Sequence, residues 1–133
     1  MKRVCVSAAV ILFLQWLCLA KAATLFTVPV IVVTPKILDF RAGATNGTAT
    51  NTFLVENAGG GKLVGKAMVA RPFKIVDGGN YSLRENEDQV VTVIYTCRNA
   101  RTNIQTVTFT GDGGAKATVI GRLSPASSPS RIR

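Results

Sequence analysis

The feature that most constrains the fold is a period-two alternation of apolar and polar residues in short segments along the chain. It is clearest at 52–56, 91–96 and 106–110. The inward-facing members of the alternating strands are predicted to be Phe40, Phe53, Val55, Phe73, Val91, Val93, Tyr95, Val107 and Phe109. Because successive side chains of a strand point to opposite faces, this pattern indicates sheets that are covered on one side, so two such sheets should stack.

Turn residues divide the chain into many short segments. The main breaks are the glycine-rich stretches 58–61, 77–80 and 111–114, and the last of these suits a hairpin between the final two strands. Eight candidate strands follow, at 28–34, 37–40, 48–57, 62–70, 73–76, 89–97, 103–110 and 116–123. No segment keeps a helical period, so we predict an all-β, immunoglobulin-like sandwich of seven to eight strands.

A series of short motifs resembles a known group of domains. In order they are Ile37-Leu38-Asp39-Phe40, Phe53-x-Val55-x-Asn57-x-Gly59, Pro72-Phe73-x-Ile75, Val91-x-Val93-x-Tyr95 and Gly121. Together they resemble the ASH/Hydin immunoglobulin-like domains, which are related to major sperm protein and occur in bacterial choice-of-anchor surface proteins. The resemblance covers residues 32–123 and implies a non-catalytic domain that mediates interactions. The chain departs from the group's usual pattern at three places: it has Arg41 in place of glycine, Glu85-Asn86 in place of Pro-Gly, and Cys97 in place of proline.

Residues 1–22 have the organisation of a secretory signal peptide. Lys2 and Arg3 precede an apolar run, and Ala20-Lys21-Ala22 forms a small-x-small cleavage site. An uncleaved membrane anchor is the alternative, since the run from Val4 to Ala20 approaches the length that spans a bilayer. We therefore divide the chain into a signal peptide (1–22), a sandwich domain (23–123) and a disordered Ser/Pro-rich tail (124–133), and expect a secreted or periplasmic protein.

Removal of the signal peptide leaves Cys97 as the single cysteine. The domain then has no internal disulfide, and its stability must come from an apolar core, which roughly 110 residues can supply. In an oxidising compartment Cys97 could link two copies of the chain. Its place at the end of a strand favours burial instead, as is common for a free cysteine.

The inventory of reactive side chains argues against an enzyme. The chain has no histidine, and four of the five serines of the mature chain lie in the tail, so the usual acid–base and nucleophile arrangements are missing. Glu85, Glu87 and Asp88 cluster, but their spacing matches no calcium loop and suits a solvated turn. We expect no cofactor and no bound metal.

The mature chain keeps 13 of the 16 basic residues and all seven acidic ones, which gives a net charge of +6. The basic residues are scattered, so charge for solubility is favoured over an anionic partner, and nucleic acid is not expected. Two pairs lie close in sequence, Lys62 with Lys66 and Arg98 with Arg101, and they form the candidate binding surface.

The sequence thus predicts a secreted or periplasmic module that binds another protein; the alternative is charge-driven binding to an anionic polymer or membrane surface.

Overall fold

A computed structural model describes residues 27–124 as two stacked β-sheets. The nine strands are β1 (Ile31–Thr34), β2 (Ile37–Ala42), β3 (Thr48–Asn57), β4 (Leu63–Met68), β5 (Phe73–Asp77), β6 (Asn80–Leu83), β7 (Asp88–Thr96), β8 (Asn103–Phe109) and β9 (Ala115–Leu123). One sheet has the order β1-β3-β7-β5 and the other β2-β9-β8-β4-β6. The all-β sandwich predicted from the alternation is confirmed.

The chain passes from one sheet to the other within two interrupted strands. After β1 it turns at the cis Thr34–Pro35 bond and continues as β2, which pairs in parallel with β9. After β5 it turns at Gly78-Gly79 and continues as β6, which pairs with β4. As a result, β1 and β2 lie at one side of the sandwich as edges of different sheets, and β5 and β6 do so at the other side.

The core lies between the sheets and is formed by the inward-facing residues of the alternating strands. All nine residues predicted for it are buried, and Phe53, Tyr95 and Phe109 have no exposed surface. Phe53 and Phe109 meet edge to face with ring centroids 5.4 Å apart, and Phe73 lies 5.0 Å from Tyr95. The first pair connects the two sheets, whereas Phe73 and Tyr95 are neighbours on paired strands of one sheet.

Strand β6 was not predicted. The turn at 77–80 predicts the end of the preceding strand, and Tyr81-Ser82-Leu83 is too short to show a period of its own. In the structure Tyr81 and Leu83 both point into the core. The first predicted strand, 28–34, is shorter than expected, since β1 begins at Ile31.

One buried polar side chain joins several loops. Asn57, at the end of β3, is completely buried, and its Oδ1 accepts hydrogen bonds from the backbone N–H groups of Val30 and Gly59, both at 3.1 Å. Its Nδ2 donates to the carbonyl oxygens of Gly61 and Leu83, both at 3.2 Å. The amide therefore fixes the entry to β1, the glycine-rich loop and the end of β6 around one point.

The predicted signal peptide and nearly all of the predicted tail lie outside the described residues. Within residues 27–124 there is no helix of a length and hydropathy that could cross a membrane. Cys97 is fully buried, and its Sγ lies 3.2 Å from the carbonyl oxygen of Asn99, so the expectation of a buried thiol is confirmed.

Candidate functional site

Strand β2 is an edge strand with unpaired backbone groups. The carbonyl oxygens of Lys36 and Ala42 accept hydrogen bonds from Thr118 N of β9 at 2.8 Å and from Ser124 N, directly after β9, at 2.7 Å. Because a parallel ladder uses every second residue, the N–H and C=O groups of residues 38 and 40 also face β9. The backbone groups of Ile37, 39 and 41 therefore point away from the sheet.

The other three edge strands offer less room for a partner. β1 and β6 each have four residues, and β5 has an irregularity in its pairing with β7 between Ile75 and Asp77. Short and bulged edges are common devices against unwanted strand pairing. Strand β2 has six residues in unbroken register, and Ile37 at its start is 61% exposed.

Charged side chains surround the middle of the β2 edge. Asp39 lies 3.4 Å from both Arg41 and Arg122, on the outer face of the sheet. These pairs are largely exposed, so they contribute little stability. They do place one carboxylate and two guanidinium groups beside the unpaired backbone, where they can select the charge of a bound segment.

Arg98 and Arg101 lie in the loop between β7 and β8, as the sequence indicated. The Arg101 backbone N–H donates to Asn99 Oδ1 at 3.1 Å, and its carbonyl oxygen accepts from Asn103 Nδ2 at 3.1 Å. Asn103 also donates to the Tyr95 hydroxyl at 3.1 Å. The loop that carries the two exposed arginines is thereby attached to the core.

Lys62 and Lys66 lie at the opposite end of the sandwich. Lys62 directly precedes β4, and Lys66 is on the outer face of that strand, where its backbone bonds to Thr110. The four residues of the candidate binding surface are therefore two separate pairs. No observation assigns a ligand to either pair, so both assignments remain predictions.

Arg71 and Lys74, which no sequence pattern singles out, lie beside Arg98 in the folded domain. The Pro72 carbonyl oxygen accepts a hydrogen bond from Thr96 N at 3.2 Å, so the loop between β4 and β5 lies against the end of β7. Arg71, Lys74 and Arg98 all border the same hollow. Only strand pairing creates this cluster, because 24 positions separate Lys74 from Arg98 in the sequence.

Residues 27–124 contain no histidine. In this part of the chain no three aspartate, glutamate or cysteine side chains are grouped so that they could hold a metal ion. The tyrosines are structural: Tyr81 donates to the Thr110 carbonyl oxygen, and burial raises the pKa values of Tyr81 and Tyr95. Both remain protonated and neutral at physiological pH.

Comparison with known proteins gives matches at the level of structure alone. No protein-family model and no curated protein sequence matches the chain. An ASH/PapD-like domain of human CEP192 is similar, with 12% identity and a TM-score of 0.54 over 73% of this chain and 87% of that domain. The Escherichia coli chaperone DraB gives 11% identity and a TM-score of 0.60 over 76% of this chain and 58% of DraB.

A member of the major sperm protein family from Caenorhabditis elegans, WR4, is similar as well. It shares 8% identity, and the TM-score is 0.51 over 71% of this chain and 97% of that protein. The immunoglobulin-like fold of ASH, PapD-like and major sperm protein domains is thus the fold of this chain, as the sequence motifs indicated. The chain spans little more than half of the chaperone's length, and at these identities the likeness concerns fold only.

Proposed function

We propose that this protein is a non-catalytic module that binds another protein by pairing a strand along the edge of β2. The observation that carries the proposal is the unbroken outer edge of β2, at which three residues present unpaired backbone donors and acceptors. Main-chain hydrogen bonds to such an edge give affinity, while the alternating side chains beside it give specificity. Neighbours such as the chaperone DraB support a role in protein contacts.

Replacement of one outward-facing residue tests this mode of binding. Ile37→Pro removes an N–H group that makes no bond within the sheet, so we expect the domain to fold and to lose its partner. Ile37→Thr is the matched control, because it shortens the same side chain and keeps the N–H. The experiment captures proteins from native envelope and culture fluid with each variant; equal capture by wild type and Ile37→Pro would contradict pairing at β2.

We also propose that the domain works outside the cytoplasm after cleavage near Ala22. The support is the order of basic residues, apolar run and small-x-small site in residues 1–22. Mass spectrometry of the exported protein tests this: a mature chain that begins near Ala23 is expected. A full-length mass in the membrane fraction would instead favour the uncleaved anchor.

Binding to an anionic polymer or membrane surface is the second candidate, and the clustering of Arg71, Lys74 and Arg98 favours it. Charge-driven binding weakens steeply as salt screens the interaction, whereas strand pairing depends much less on ionic strength. Capture at low and at high salt is therefore compared for wild type and Ile37→Pro. A polymer or membrane surface that salt releases, and that Ile37→Pro binds as well as wild type does, would favour the second function.

A further inference from the structure

Charge is distributed unequally between the two ends of the sandwich. One end, here called the basic end, consists of the loops 43–47, 69–72 and 97–102 and the strand ends that border them. Six of the chain's 16 lysine and arginine residues lie there: Arg41, Arg71, Lys74, Arg98, Arg101 and Arg122. The three loops contain no acidic residue.

The opposite end holds most of the negative charge. Five of the chain's seven acidic residues lie on or beside its loops: Glu56, Glu85, Glu87, Asp88 and Asp112. Lys62, Arg84 and Lys116 lie at that end as well, so it carries both signs, whereas the loops of the basic end carry positive charge alone. An uneven distribution of this kind favours one orientation of approach for a charged partner.

Two hollows lie side by side at the basic end, and Arg71 and Arg98 border both of them. One, of about 340 Å³, is completed by Pro72, Asn99 and Asn103. The other, of about 250 Å³, adds Phe73, Lys74 and Thr96. Each hollow thus combines guanidinium groups with further hydrogen-bond donors, which is the combination that binds oxyanions.

The cations of these hollows have no carboxylate partner among the described residues. Both ion pairs in that part of the chain use Asp39, which bonds to Arg41 and Arg122. Arg71, Lys74 and Arg98 are exposed and make no ion pair there. Their loops are nevertheless held in place, since Gln105 Nε2 lies 3.5 Å from the Arg71 carbonyl oxygen and Cys97 O accepts from Asn46 N at 2.6 Å.

We infer that the basic end binds a short acidic segment of a protein partner, with neighbouring carboxylates in the two hollows and Arg71 and Arg98 between them. Two adjacent hollows that share their arginines fit consecutive carboxylates better than one isolated anion. The inference rests on the proposed function, because it assigns the protein partner a chemistry. It concerns a different surface, however: the ends of the loops and not the β2 edge.

Tetraglutamate is the probe, and tetraglutamine is its uncharged counterpart. In an NMR titration of the exported protein, tetraglutamate should shift the backbone amides of 69–74 and 97–103, whereas tetraglutamine should shift none. The double variant Arg71→Gln/Arg98→Gln should bind tetraglutamate roughly tenfold more weakly, because it loses both guanidinium groups. The matched control is Arg84→Gln/Lys116→Gln, which removes the same charge from exposed residues of the opposite end and should bind as wild type does.

Three results would overturn the inference. Equal weakening in both double variants would show that net charge alone attracts the peptide. If inorganic phosphate shifts the same amides and binds as tightly as tetraglutamate, the basic end is a site for a single anion. An absence of amide shifts at the basic end would show that it takes no acidic segment.

The same variants keep this inference apart from the proposed function. Ile37→Pro should abolish capture of the partner but leave tetraglutamate binding unchanged. If tetraglutamate does not bind while capture still depends on residue 37, the acidic-segment inference alone fails. If tetraglutamate binds while Ile37→Pro captures the partner as wild type does, pairing along β2 alone fails.

Discussion

At the scale of single residues, Asn57 explains one of the motifs by which the sequence resembles the ASH/Hydin domains. The spacing Asn57-x-Gly59 lets the side-chain Oδ1 accept the Gly59 N–H while Nδ2 reaches across to Leu83. A buried amide with all of its hydrogen bonds made is favourable, whereas its removal leaves several backbone groups unpaired. Local strand formation alone would not require asparagine at this position.

Asn57→Ala should therefore destabilise the domain by about 2–4 kcal/mol, since it orphans two N–H and two C=O groups. Denaturant unfolding measures the loss. Asn80→Ala is the control, because the Asn80 side chain is exposed, and it should stay within about 0.5 kcal/mol of wild type. Similar unfolding curves for both variants would show that Asn57 does not organise these loops.

The two buried tyrosines predict how stability changes at alkaline pH. Burial raises the pKa of Tyr81 and of Tyr95 above the ordinary value of 10.0. Side-chain hydrogen bonds with Thr110 and Asn103, respectively, oppose the rise, and the neighbouring Cys97 adds to it for Tyr95. The folded state thus holds its phenolic protons at a pH where the unfolded chain has lost them. This contribution to stability is complete below pH 10 and is lost as the pH rises through the folded pKa values.

The free energy of unfolding should consequently fall more steeply above pH 10 in wild type than in Tyr95→Phe, which cannot ionise. Denaturant unfolding at several pH values from 8 to 11 gives the comparison. Absorbance at 295 nm follows ionisation directly, because Tyr81 and Tyr95 are the chain's two tyrosines. Ionisation of both at pH 10 in the folded protein would contradict the burial.

At the scale of elements, Gly121 shows why β9 can cover the aromatic core. A Cβ atom at position 121 would overlap the Tyr95 ring, so the strand lies directly on that ring. Gly121→Ala should displace Tyr95 from its contacts with Phe40 and Phe73 and destabilise the domain by about 1–3 kcal/mol. Thermal unfolding measures the effect, with Gly43→Ala as the control because a Cβ atom at position 43 meets open space. Equal melting temperatures for the two variants would contradict the contact between Gly121 and Tyr95.

The alternation in β3, β7 and β8 made most of the core predictable, because a half-buried strand reveals its inward face through the spacing of its apolar residues. Strand β6 could not be recognised in this way, since four residues contain too few alternations. Tyrosine also occurs both in cores and on surfaces, so Tyr81 does not reveal which side of the strand is buried. The loop arginines were recognisable as exposed. That Arg71 meets Arg98 depends on which strands pair, and the sequence carries no local indication of it.

At the scale of the whole molecule, the sandwich relies on its core and not on cross-links. Cys97 is the one cysteine in residues 27–124, and its thiol is buried. The melting temperature of the exported protein should thus be the same with and without reductant. A clear decrease on reduction would reveal a disulfide between two copies and contradict the buried position of Cys97.

The central claim is that β2 presents an unpaired edge that a protein partner completes. Hydrogen exchange measured residue by residue tests it most directly. In the free protein, the amides of Leu38, Phe40 and Ala42 should exchange slowly because they bond to β9, whereas those of residues 37, 39 and 41 should exchange quickly and become protected once the captured partner is added. Equal protection of all six amides in the free protein, or rapid exchange of the odd-numbered ones in the complex, would contradict the account.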